Sequence, residues 1–184
     1  MSLTPSQSLT IGITASPFSL PDTRNGDTVS LEHYLTKPVL VAFICNHCPY
    51  VVHLMDSFIA CAHQLARQDI ATIAISANDA STYPADSPEN MRTLAIDKGF
   101  EFPYCHDASQ SVANAYGATC TPDLFLFDDD HKLYYHGQFD ATRPGNGVAD
   151  GADLMHAAAQ LLDQKPPPSD QKPSVGCSIK WKRH

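Results

Sequence analysis

Two cysteines with two residues between them, Cys45-Asn46-His47-Cys48, stand directly after an apolar run and directly before Pro49. A thiol pair at this spacing can cycle between dithiol and disulfide, or hold a soft metal ion. What positions the pair decides between these chemistries. The preceding run, Val39-Leu40-Val41-Ala42-Phe43-Ile44, has the length and branching of a strand buried on both faces. From Pro49 to Gln68, Val52, Met55, Phe58, Ile59, Ala62, Leu65 and Ala66 recur at three- and four-residue spacing, which describes one face of a helix. Proline suits the first helical position, so Cys48 becomes the N-cap. A thiol there faces unpaired backbone N–H groups and the positive end of the helix dipole, and both favour thiolate over thiol. Cys48 is therefore the candidate nucleophile. Cys45 is the thiol placed to attack a mixed disulfide or sulfenic acid formed on Cys48, and a protonated His47 would lower the Cys48 thiol further.

Other elements follow from the same rules. Short apolar stretches from Phe18 to Leu31 flank Asn25-Gly26, a hairpin signal. Ile70 to Ser76 reads as the next buried strand, and Pro88 to Lys98 as a helix capped by Ser87 and ended by Gly99. Asp107 with Gln110 reads as a capping box for a short helix ending at Gly117. Leu124–Phe127 and Lys132–His136 form strands about the Asp128-Asp129-Asp130 turn. A last helix runs from Ala152 to Leu162, with Leu154, Ala158, Leu161 and Leu162 on its inner side. The order is that of an α/β fold, a central mixed sheet flanked by helices with an N-terminal β-hairpin extension. Residues 1–165 make one domain, and Pro166-Pro167-Pro168 opens a tail, 166–184, expected to be extended and mobile.

Composition excludes several classes. The chain has 184 residues, 43% hydrophobic and 17% charged, with no apolar run near the ~20 residues of a membrane span. A net charge of -8 argues against nucleic acid or an anionic membrane as partner; Lys180, Lys182 and Arg183 at the end read as a solvated basic tail. Met1–Leu9 lacks the features of a secretory leader, so a cytoplasmic location is expected. In that reducing setting the six cysteines (45, 48, 61, 105, 120 and 177) are not a disulfide scaffold, and the Cys-x-x-Cys pair is redox-active or metal-binding.

The segment Phe43-Ile44-Cys45-Asn46-His47-Cys48-Pro49-Tyr50-Val51, with Thr121-Pro122-Asp123 and Gly176-Cys177-Ser178-Ile179-Lys180-Trp181, resembles the peroxiredoxin-like subgroup of the thioredoxin superfamily, of the alkyl hydroperoxide reductase and thiol-specific antioxidant type. Ser16-Pro17-Phe18-Ser19-Leu20-Pro21-Asp22, Ser87-Pro88-Glu89-Asn90-Met91 and Ala115-Tyr116-Gly117 extend the likeness over nearly the whole chain. The resemblance implies a thioredoxin-like fold and a cis Thr121-Pro122 bond beside the thiols, with the Thr121 backbone open to a substrate's extended chain. It also departs from the pattern. Counted from the strand phenylalanine, Cys48 takes the register of thioredoxin's first cysteine and Val51 that of the second. Cys45 stands where peroxiredoxins carry Thr or Ser, no arginine precedes the Leu124 strand, and Ala42 replaces the buried carboxylate of thioredoxins. A general base must then come from His47 or His53.

The leading expectation is a thiol-dependent oxidoreductase, disulfide reductase or peroxidase. Cys48 attacks a disulfide or peroxide, Cys45 resolves the adduct, and a thiol reductant such as a thioredoxin or glutathione system resets the pair without a cofactor. Cys120, next to Thr121 and Pro122, and Cys177, on the tail, are candidate second resolving thiols; Cys61 and Cys105 are assigned to packing. Two other classes stay open. One is a Cu(I)- or Zn-binding module built on Cys45, Cys48 and a nearby histidine, to which His53 or Cys120 could contribute. The other is a redox-inactive domain that binds partners through the same groove.

Overall fold

The computed structural model of the protein describes residues 3–183; Met1 and Ser2 of the polar N-terminal stretch, and His184 of the tail, lie outside them. The chain runs β1 (Leu3–Pro5), β2 (Ser19–Pro21), β3 (Thr28–Ser30), β4 (Val39–Phe43), α1 (Pro49–Arg67), β5 (Ala71–Ser76), α2 (Pro88–Asp97), β6 (Tyr104–His106), α3 (Ser111–Tyr116), β7 (Cys120–Thr121), β8 (Asp123–Phe127), β9 (Leu133–His136), α4 (Ala152–Leu162) and β10 (Val175–Ser178). A five-stranded sheet, in the order β6-β5-β4-β8-β9, carries the fold. β4 is central, parallel to β5 and antiparallel to β8.

Alternation along β4 divides the core in two. Leu40, Ala42 and Ile44 face a cluster with α1, α2 and α4, whereas Val39, Val41 and Phe43 face one with α3 and the N-terminal hairpin. Every residue of β4 is buried, which is why the run shows no polar alternation. The buried stripe of α1 is Val51, Leu54, Met55, Phe58, Ile59, Cys61, Ala62 and Leu65. Val52 and Ala66, expected on that stripe, point to solvent; the stripe starts one residue earlier, because the turn after Cys48 aims Val51 inward. Ser87 caps α2 as expected, accepting from the Asn90 N–H.

Three expectations change. The hairpin closes through residues 22–27 rather than a two-residue turn, with Leu20 opposite Val29 and Gly26 at φ 82. Asp107 and Gln110 do not form a capping box. Gln110 is itself the N-cap of α3, at φ 62, and its amide donates to the Ala77 and Lys180 carbonyls, while the Asp107 carboxylate accepts from the Ala113 N–H. The tail does not run free: after the prolines it returns as β10, antiparallel to β1 on one side and to β7 on the other. Ser174, Cys177 and Ile179 are all buried, Cys177 among the residues around α1 and Ile179 in the opposite cluster. A proline-rich composition predicts a free tail only if nothing is waiting to pair with it, and here two short strands are.

Candidate active site

Cys45 follows β4 and Cys48 caps α1, with Pro49 at the first helical position and Cys48 in extended conformation. The strand fixes one thiol and the helix start fixes the other. As a thiol, Cys48 donates to the Thr121 carbonyl at 3.1 Å, and the Cys45 sulfur lies 3.4 Å from the Thr121 hydroxyl. The Thr121-Pro122 bond is cis. β10 crosses over this corner, placing Cys177 opposite Thr121 and Ser178 opposite Cys120.

Electrostatics separate the six thiols. Cys48 alone is pulled well below the ordinary thiol range. The first cause is a hydrogen bond from Cys45, followed, against the cost of burial, by the Cys177 thiol, Thr121 and the Cys177 backbone. The same hydrogen bond pushes Cys45 strongly up, with burial and the Asp86 carboxylate adding to it. Burial pushes Cys61 and Cys177 up to about 11 and Cys105 up to about 12, and raises Cys120 as well. A sulfur in these surroundings is a thiolate near neutral pH at one position only, and a thiolate is the attacking species.

His47 is placed on Asp86: its Nδ1 lies 2.7 Å from Asp86 Oδ2 and its ring stacks on Tyr83 at 5.4 Å. The groups that lower Cys48 are Cys45, Cys177 and Thr121, so the expected activation by His47 is carried by other groups. His47, Asp86 and Cys45 bring their ligand-type atoms within 4.8 Å of one another. Asp86 is already engaged, Oδ1 accepting from the Asn46 N–H at 2.7 Å and Oδ2 from the Asn78 amide at 2.8 Å. The metal expectation thus meets one three-residue cluster among the described residues, and its carboxylate is spoken for. His53 meets the Thr142 hydroxyl at 2.9 Å.

Two acids escaped the sequence reading. Asp86 sits in a polar loop with no signal beyond its type; its burial arises from partners 40 and 8 residues away. Asp123, directly after Pro122, is buried and paired with His136 at 2.8 Å, and burial raises its carboxyl. It also helps to raise Cys120. Position next to Pro122 was the available signal for Asp123.

Residues 11–136, more than half of the chain, match the model of the AhpC/TSA family. The chain belongs to the AhpC/TSA family. Thiol-dependent oxidoreductase chemistry of the thioredoxin and peroxiredoxin kind is thereby supported in general terms. An uncharacterized conserved protein from Geobacillus kaustophilus is 42% identical, with a TM-score of 0.97, covering 100% of this chain and 98% of that one. A hypothetical protein from Sinorhizobium meliloti 1021 is 45% identical, with a TM-score of 0.95, covering 98% and 100%. The thioredoxin domain of a thiol-disulfide oxidoreductase from Bacteroides vulgatus is 17% identical, with a TM-score of 0.61 over 81% of this chain and 97% of that one, and shows the thioredoxin-like fold. No curated protein matches the chain. Among the described residues, no helix is long and apolar enough to cross a membrane.

Proposed function

We propose that the protein is a cytoplasmic thiol oxidoreductase in which Cys48 is the nucleophile and Cys45 the resolving thiol. The observation that carries this reading is the sorting of six buried thiols, one pulled down and five pushed up, with the lowered one hydrogen-bonded to a cysteine three residues away. With a hydroperoxide, the Cys48 thiolate forms an S–O bond as the O–O bond breaks, and the departing alkoxide or hydroxide takes a proton. Cys45 then attacks the sulfenic sulfur, forming the disulfide and releasing hydroxide, which leaves as water with the Cys45 proton. With a disulfide, the thiolate forms a mixed disulfide, expels a thiolate, and Cys45 expels the second. An external dithiol or glutathione returns the pair to the reduced state.

Cys45 must lose its proton to resolve, and it is the thiol held most firmly as a thiol. The His47–Asp86 pair beside it is the base that this step requires. The test is to expose reduced protein to substoichiometric hydrogen peroxide, or to a small disulfide, and map the products. A Cys45–Cys48 disulfide in the native protein, and an adduct trapped on Cys48 in Cys45→Ser, are expected. Loss of thiols from other positions, with Cys48 untouched, would sink the reading. Peroxide and disulfide arms together assign the oxidant.

A further inference from the structure

The edge of β7 beside the thiols is already paired. β10 holds it through the Cys177–Thr121 and Ser178–Cys120 register, and Ile179 N–H donates to the Thr119 carbonyl at 3.0 Å. Both ends of β10 are tied: Ser174 to Ser6 and Gly137, and Lys180 to Asn78 and Asp79. The fit is close enough to need glycine, since a Cβ at Gly176 would run into the Thr121 carbonyl group, 2.7 Å from its carbon. Under this cover Cys48 is 0% and Cys45 1% exposed.

An extended polypeptide docks on a sheet by pairing with a strand edge. Beyond β10 lies β1, which ends that small sheet. A chain added outside β1 would run about 15 Å from β7, three strand spacings away, much too far for sulfur to meet sulfur at about 2 Å. Polypeptide disulfides must therefore displace β10, whereas a small disulfide or hydroperoxide needs only a local opening beside it.

We infer that β10 sets the substrate size of this site: seated through Gly176 against Thr121, it reserves Cys48 for small oxidants and refuses polypeptide disulfides. The inference rests on Cys48 being the nucleophile. The Cys48 thiolate bonds to one sulfur of the probe disulfide, which is the oxidant, as the S–S bond breaks and the other half leaves as thiolate.

The experiment uses the full chain with Cys45→Ser, and oxidised Cys48 is counted by peptide mapping as the mixed disulfide together with any Cys48–Cys177 disulfide, in which Cys177 has expelled the probe thiol. One probe is bis(2-hydroxyethyl) disulfide and the other the symmetric disulfide of a short unstructured peptide. Each rate is divided by that of the probe with N-acetylcysteine. The small probe should win by about 100-fold, the size expected where one probe requires a sub-global opening. Adding Gly176→Ala should narrow that ratio by about tenfold or more, while exchange of the β10 amides quickens. Equal normalised rates in the first protein would overturn the inference and leave the nucleophile assignment standing. So would an unchanged ratio once the β10 amides exchange freely. If neither probe marks Cys48, the functional reading fails, and the inference with it. The first comparison needs no loosened variant, so a Gly176→Ala protein that fails to fold does not protect the inference.

Discussion

One sulfur among six is made reactive by its neighbours rather than by its helix alone. Any thiol at the start of α1 would gain from the backbone N–H groups there, yet the largest influence on Cys48 is the hydrogen bond from Cys45. The dithiol is a pair with divided roles: the proton stays on Cys45, which Asp86 and burial keep neutral, and the charge stays on Cys48. The consequence for pH is direct. A folded-state pKa lowered to about 4, from an ordinary thiol value near 8.5, means that thiolate is present at about pH 6, and that it is lost as the pH falls further. Cys45→Ala removes the leading cause, so Cys48 should titrate at higher pH and its thiolate absorbance at about pH 6 should fall several-fold. Cys177→Ala, removing a smaller cause, should move it less. A Cys48 titration unmoved by Cys45→Ala would assign the effect to the helix start instead.

Elements differ in how plainly the sequence announces them. β4 and α1 could be read because their stability comes from burial of their own residues, and the branching of Val39, Val41 and Ile44 and the spacing of Met55, Phe58, Ala62 and Leu65 record that burial directly. β10 could not. Val175-Gly176-Cys177-Ser178 is short and follows a proline-rich stretch, and its order comes from β1 and β7, roughly 170 and 55 residues away in the chain. The active corner shows the same division: Cys45 and Cys48 are visible as a spacing, but Asp86 is a site residue only because the Asn46 N–H and the Asn78 amide meet it. What anchors β10 can be measured. Ile179, at its end, is buried against the α3 side of the sheet. Ile179→Ala should cost about 2–4 kcal/mol in urea unfolding. A change below about 0.5 kcal/mol would mean that the strand is held by its backbone bonds and not by that side chain.

At the scale of the molecule, residues 174–183 close a fold that residues 3–165 leave open. The sheet divides the interior into two clusters, and the tail contributes to both, Cys177 on the α1 side and Ile179 on the other. It also pairs with β7 and β1, whose strands of two and three residues have no other partner in their small sheet among the described residues. Removing residues 174–184 should therefore do more than shorten the chain. β1 loses β10, its strand partner among the described residues, and should fray, and the edge of β7, with Thr121 and the thiols behind it, meets water. An open edge next to apolar surface is a template for pairing with another chain. The truncated protein should keep the helical signal of α1, α2 and α4, because they still pack on the five-stranded sheet, although α1 loses the cover of Cys177. It should unfold at lower denaturant and self-associate as its concentration rises, which sedimentation and urea titration would register together. A truncated chain as stable and as monomeric as the whole would mean that the tail rests on a finished surface. Loss of all cooperative unfolding would mean that the tail nucleates the fold and does not merely close it.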